Sequence, residues 1–121
     1  MSPTESSFDP EYRLILLVNS ELKMSYGKLA AQLVHAVIPI LRRADEGAAF
    51  RRWQRQGSKV ICLAATTTQM LECLHSTEFA FLRPVPVFDA GRTEIPPNSL
   101  TVIGFDLIDD QVRLFDRFRL L

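Results

Sequence analysis

Cysteine is scarce, with two in 121 residues, Cys62 and Cys73. Two thiols make no disulfide framework, so the fold has to rest on its core. Both are read as buried, unbridged thiols of a reducing compartment. Long apolar runs are also missing, and none approaches the roughly 18–20 residues of a membrane span. An excess of one charge is lacking too. The 14 Lys and Arg face 14 Asp and Glu, which excludes a basic coat over the whole surface but not a local basic patch. Histidine is confined to His35 and His75, and no Cys, His or Asp cluster has ligand spacing, so neither metal nor other cofactor is expected. No G-x-S-x-G elbow occurs, and Gly27-Lys28 lacks the first glycine of a Walker A loop. The opening MSPTESSFDPE has neither a basic n-region nor an apolar h-region. No secretory leader is expected from it, and the cytoplasm is the expected location.

What is present is largely apolar. Hydrophobic residues make up 47% of the chain, including eight Phe, enough for one packed domain at this length. Residues 1–10, rich in Ser, Thr, Pro and acid, read as a flexible tail ahead of a domain over 11–121. The run from Tyr12 to Val18 is apolar without alternation, the pattern of a strand covered on both faces. A helix is predicted from Ser25–Gly27 to Ala44. Its stripe is Leu29, Leu33, Val37 and Ile40/Leu41, small Ala30, Ala31 and Ala36 allow close approach to a sheet, and Pro39 should kink it. A second helix over 46–56, capped near Asp45, should end at Gly57 with Phe50 and Trp53 turned inward. Residues 58–65 read as a buried strand, and 67–76 as a helix capped from Thr66-Thr67-Thr68. Val85–Phe88 reads as a strand that Pro86 confines to a sheet edge. Leu100–Phe105 is a fourth strand, and Asp109-Asp110 should open a last helix of about two turns. Helices alternating with strands in this way imply an α/β sandwich.

Three places carry chemistry. Between Lys23 and Lys59 eight basic residues stand against two acids, a local excess of +6. Arg51, Arg52 and Arg55 dominate it, and the face reads either as a solvated helix surface or as a contact surface for phosphates. Gly27-Lys28 falls where a loop becomes a helix, a position that favours an anion. Asp89-Ala90-Gly91-Arg92-Thr93-Glu94 follows a strand directly. Strand tips are the usual location of ligand sites in open α/β sheets. Asp89 there either activates a water held by Thr93, or caps its own turn and pairs with Arg92. His35 is open between a packed helix residue and a functional one.

These blocks resemble one family. Leu22-Lys23-Met24-Ser25-Tyr26-Gly27-Lys28-Leu29-Ala30-Ala31-Gln32-Leu33-Val34-His35-Ala36 resembles the first helix signature of the archaeal/eukaryotic-type peptidyl-tRNA hydrolases (Pth2). Trp53, Gly57 and Lys59, then Asp89–Thr93, then Ser99, Thr101, Val102 and Gly104 follow in the family's order and spacing. The resemblance spans about residues 12–121. It implies a three-layer α/β/α sandwich with a four-stranded mixed sheet, a homodimer, and metal-independent hydrolysis of the ester between a peptide and tRNA. It further implies Lys28, Asp89 and Thr93 as catalytic residues. Gln32, His35, Arg92, Thr101, Arg51, Arg52 and Arg55 become substrate-binding, with the basic helices of 28–59 along the tRNA backbone. Several positions differ from the family pattern, among them Tyr26 at an often basic position and Phe105-Asp106-Leu107-Ile108 in place of a Gly/Pro-rich exit after Gly104. Glu94 stands in place of glutamine, and Asn98 takes a glycine position that requires positive φ. A second reading keeps the fold but makes it a non-catalytic scaffold for a protein or nucleic acid. It rests on Glu94 and the altered exit after Gly104, and an exposed apolar patch of Phe105, Leu107, Phe115 and Phe118 would support it. A third is hydrolysis of a different small ester or amide in the same cleft.

Overall fold

The computed structural model describes residues 10–90 and 95–121. Strand β1 (Tyr12–Asn19) is followed by helices α1 (Tyr26–Ala44) and α2 (Ala48–Arg55), strand β2 (Val60–Ala65) and helix α3 (Thr67–His75). A short 3₁₀ turn (Ala80–Leu82) leads to β3 (Val85–Phe88), β4 (Leu100–Gly104) and the two-residue β5 (Ile108–Asp109). The main sheet has the order β2-β1-β4-β3, with β1 and β2 parallel and the other pairs antiparallel. This is the expected four-stranded mixed sheet, and β5 extends it by pairing with Tyr12 and Arg13 at the start of β1. The expected tail over 1–10 lies outside the described residues apart from Pro10, whose carbonyl accepts Gln56 Nε2 at 2.8 Å.

Alternation along β1 builds the layers. Leu14, Leu16 and Val18 join Ala36, Ile40, Trp53 and Val102 beneath α1 and α2. Ile15 and Leu17 join Met70, Cys73, Phe79, Ile103, Phe105, Phe115 and Phe118 on the opposite face, under α3 and the C-terminal segment. A central strand wedged between two cores explains why β1 is apolar without a period of two. The two cysteines follow the same division, Cys73 in one core and Cys62 against the other, so they cannot meet.

The α1 stripe is as read, with Leu29, Leu33, Val37, Ile40 and Leu41 all in the core beneath it. The small residues need a correction: Ala36 is fully buried, but Ala30 and Ala31 face solvent. The close approach falls instead at Gly104 on β4, where an added Cβ would come within 2.5 Å of Ile40 Cδ1. Helix α1 continues through Pro39 to Ala44. Asp45 does not cap α2. It is the C-cap of α1, Gly47 precedes α2, and Gly57 follows α2 with φ +107°. Thr66 caps α3 through a reciprocal capping box with Gln69.

Two expectations fail at the C-terminus. No helix forms after Asp109-Asp110. Ile108 and Asp109 are drawn into β5, and Asp116 and Phe118 donate to carbonyls three residues back, which makes tight turns instead. The chain then straightens onto the outer edge of β2, where Ala64 N donates to Arg119 O at 2.9 Å and Leu121 N to Cys62 O at 3.0 Å. The exposed apolar patch also fails. Phe105, Phe115 and Phe118 are buried in a ring cluster with Phe79, at centroid separations of 4.8 to 6.4 Å.

Candidate active site

The site forms where the first turn of α1 meets the tip of β3. Ser25 is the N-cap, and its hydroxyl accepts Lys28 N at 3.2 Å. That cap starts the helix so that Lys28, in its first turn, faces β3. Val85, Val87 and Asp89 share one face of β3: the two valines pack into the α1 core, and Asp89 continues the alternation toward the helix. Lys28 Nζ and Asp89 Oδ1 form an ion pair and hydrogen bond across 61 residues of sequence. Their side chains are 12% and 2% exposed. An ion pair this enclosed is weakly screened and needs close geometry to offset desolvation.

The backbone fixes the carboxylate. Asp89 N donates to Ser99 O at 2.9 Å, and Asn98 N donates to Asp89 O at 3.0 Å, closing the neck of the 90–97 loop. Asn98 sits at φ +63°, the left-handed position expected of it. Beneath the pair lies a buried polar contact. The Thr101 hydroxyl, fully enclosed, bonds Gln32 Oε1 at 2.7 Å and the Val87 carbonyl at 3.1 Å, one proton shared between two acceptors. This locks the Gln32 side chain and leaves its amide nitrogen as the remaining donor group.

Around these residues runs a cleft of about 490 Å³ lined by Lys28, Gln32, His35 and Pro39 from α1 and by Val85 through Ala90 from β3. Sequence-predicted Lys28, Asp89, Gln32, His35 and Thr101 are thus brought together. His35 is exposed on the cleft wall, so the packed-residue reading of it is wrong. Asp89 pairs with a distant lysine, so a purely local turn role does not describe it. Arg92, Thr93 and Glu94 lie outside the described residues. Arg51, Arg52 and Arg55 are not brought to the cleft. Helix α1 packs on β4 and β3, while α2 packs on β1, which places the arginines on the other flank of α1. Sequence reasoning missed the cleft's second wall, the edge of β3, although Pro86 had marked that edge as free.

Two arrangements are lacking among the described residues. No group of three or more His, Cys, Asp or Glu gathers to hold a metal ion, and no helix is long and apolar enough to cross a membrane. The thiols are poor nucleophiles, because burial pushes both Cys62 and Cys73 upward from 9.0. The chemical capacity of the cleft is therefore a fixed carboxylate beside an ammonium, with amide and hydroxyl groups holding both in place.

Comparison with known proteins points to one family. The family model described as peptidyl-tRNA hydrolase PTH2 matches residues 12–116. The peptidyl-tRNA hydrolase of Methanopyrus kandleri is 40% identical over 97 residues, covering 77% of this chain and 82% of that protein. That of Methanothermobacter thermautotrophicus is 35% identical over 98 residues, covering 80% and 87%. Human mitochondrial peptidyl-tRNA hydrolase 2 is 38% identical over 109 residues, covering 82% of this chain and 60% of the human protein.

Proposed function

The chain belongs to the peptidyl-tRNA hydrolase PTH2 family, and from that premise we infer how its cleft does the family's work. The protein is a hydrolase that cleaves the ester joining a peptide to tRNA. The single observation that carries the site assignment is the enclosed Lys28–Asp89 pair. An ammonium has three N–H groups. One is given to Asp89, and the others are available to the ester carbonyl oxygen as it gains negative charge during attack. That is electrostatic stabilisation by a preset cation. Asp89 orients the attacking water and takes its proton as the C–O bond forms. The proton then passes to the 3′ oxygen as the ester C–O bond to the ribose breaks. Thr93, four residues beyond Asp89, is assigned by its place in the sequence as the hydroxyl that holds the water. Gln32, His35 and Arg92 position the substrate, and Thr101, fully enclosed, acts on it only by holding Gln32.

The cationic role falls on Lys28, so hydrolysis is expected to survive EDTA. Arg51, Arg52 and Arg55 serve the tRNA backbone at a distance from the cleft, as α2's place on the far flank of α1 suggests. A homodimer follows from the family resemblance, and sedimentation at working concentration tests it. The scaffold reading has lost its patch, since its three phenylalanines are core residues. The test is release of free peptide from N-acetylated peptidyl-tRNA by purified protein. Lys28→Ala and Asp89→Ala are each expected to cut kcat/KM at least about tenfold. Unchanged rates in both variants would remove the pair from the mechanism.

A further inference from the structure

The cleft is longer than an ester needs. Helix α1 and strand β3 form its two walls and run antiparallel. Lys28 meets Asp89 at one end, and at the other Arg43 Nη2 donates to the Arg83 carbonyl at 2.8 Å and pairs with Asp106. From Lys28 to Pro39 the helix rises about 16 Å. From Val85 to Asp89 the strand advances about 14 Å. The groove between them is therefore about four extended residues long.

Its strand wall carries unused backbone. Among the described residues β3 pairs with β4 alone and ends the main sheet. Asp89 N is turned inward, to Ser99 O. The Thr101 hydroxyl on β4 reaches the Val87 carbonyl, so Val87 is turned inward too. Pro86 has no N–H to give. The β3–β4 register shifts by one residue between Val87 and Phe88, yet Val87 and Asp89 on either side of Phe88 both bond toward β4, so Pro86 and Phe88 direct their main-chain polar groups outward. The groove thus receives the Phe88 N–H and C=O and the Pro86 C=O. Its side-chain surface away from the Lys28–Asp89 pair is formed by Pro39, Val85, Val87 and the His35 ring. Phe88, 53% exposed, stands on the opposite face of the strand.

We propose that this groove binds the peptide half of the substrate as an added β-strand on the free edge of β3, carrying its C-terminal ester to Lys28 and Asp89. The inference rests on the hydrolase reading and deepens it. Main-chain pairing recognises a peptide whatever its sequence, which suits an acyl group of variable composition. Alternate peptide side chains face α1 and Phe88. Among the described residues no lysine or arginine lines the stretch between Lys28 and Pro39, which fits a peptide better than the phosphate-bearing strand of tRNA.

Two measurements test this together. In the first, kcat/KM is compared for tRNA carrying N-acetylated chains of one to five residues. It should rise by about tenfold over the first four and then level. A scan of single N-methyl substitutions along the tetrapeptide should lower it at alternate positions only. In the second, a tetrapeptide joined through an amide to 3′-amino-3′-deoxyadenosine is added to the full chain. It should slow exchange of the Phe88 amide proton at least tenfold, and the acetyl-aminoacyl analogue should not. Active enzyme with no length dependence and no alternation overturns the strand proposal and leaves the hydrolase reading intact. Amide protection without hydrolysis of any substrate supports the groove and overturns the reaction. Neither response refutes both.

Discussion

Thr101 is fully buried beneath the ion pair, and its hydroxyl serves two acceptors. Valine matches it in shape without a hydroxyl. Thr101→Val therefore leaves Gln32 Oε1 and the Val87 carbonyl without their donor in an enclosed space, at a cost of ~1–3 kcal/mol. Urea unfolding should show this loss, and kcat should fall as Gln32 loosens beside Lys28. Thr101→Ser keeps the donor and is expected to recover most of kcat. A valine variant as stable as the parent would mean that the hydroxyl contributes nothing to holding the site. At this scale the sequence reveals residue types but not always their neighbours. A helix start marked Lys28 and a strand tip marked Asp89 as places where side chains meet ligands, but only the family resemblance joined the two in one site. The exposure of His35 was not legible, since helical spacing alone does not say which flank of α1 is left open by the sheet's edge.

Among the elements, the contact of α1 with β4 sets the width of the cleft, and Gly104 sets that contact. A Cβ there would meet Ile40 Cδ1 at 2.5 Å, Leu16 Cδ2 at 3.2 Å and Ala36 Cβ at 3.3 Å. Ile40 and Ala36 are fully buried and Leu16 nearly so, and they have little room to yield. Gly104→Ala is expected to destabilise by ~1–3 kcal/mol through overpacking. Gly27, exposed in the first turn of α1 with nothing within 4 Å of an added Cβ, gives the contrast. Gly27→Ala should be neutral or stabilising by up to ~1 kcal/mol. Thermal unfolding of both variants checks the pair, and equal effects would contradict the packing argument. Elements with strong local signals were legible in the same way. The unbroken apolar run of β1, the stripe of α1, Pro86 on an edge and Gly57 after α2 each follow from local chemistry. The C-terminus was misread because its fate is decided at long range. Tyr12 and Arg13 recruit β5, the core takes Phe115 and Phe118, and the free edge of β2 extends residues 119–121. No local pattern records those competitors.

The whole molecule is neutral, yet its charge is divided, with an excess of +6 between Lys23 and Lys59 and the balancing negative charge elsewhere. Much of that excess has no structural task. Arg43 is committed to Asp106 and Lys28 to Asp89, whereas Arg55 on α2 is exposed and makes no ion pair among the described residues. Helix α2 lies across α1 from the cleft, so its arginines are too far round the molecule to touch the ester. A tRNA whose 3′ end enters the cleft is large enough to reach both, and phosphates on α2 would then anchor it without joining the chemistry. Each phosphate contact releases counterions and adds about one to the slope of log affinity against log salt. The triple variant Arg51→Gln, Arg52→Gln, Arg55→Gln should therefore raise KM, reduce that slope by about two to three and hold kcat near its parent value. Binding titrations of uncharged tRNA across salt concentrations, read beside saturating kinetics, separate the outcomes. A slope equal to the parent's would confine these arginines to surface solvation. A fall in kcat with KM unchanged would place them in the reaction, against the geometry that sets α2 on the other side of the helix that carries Lys28.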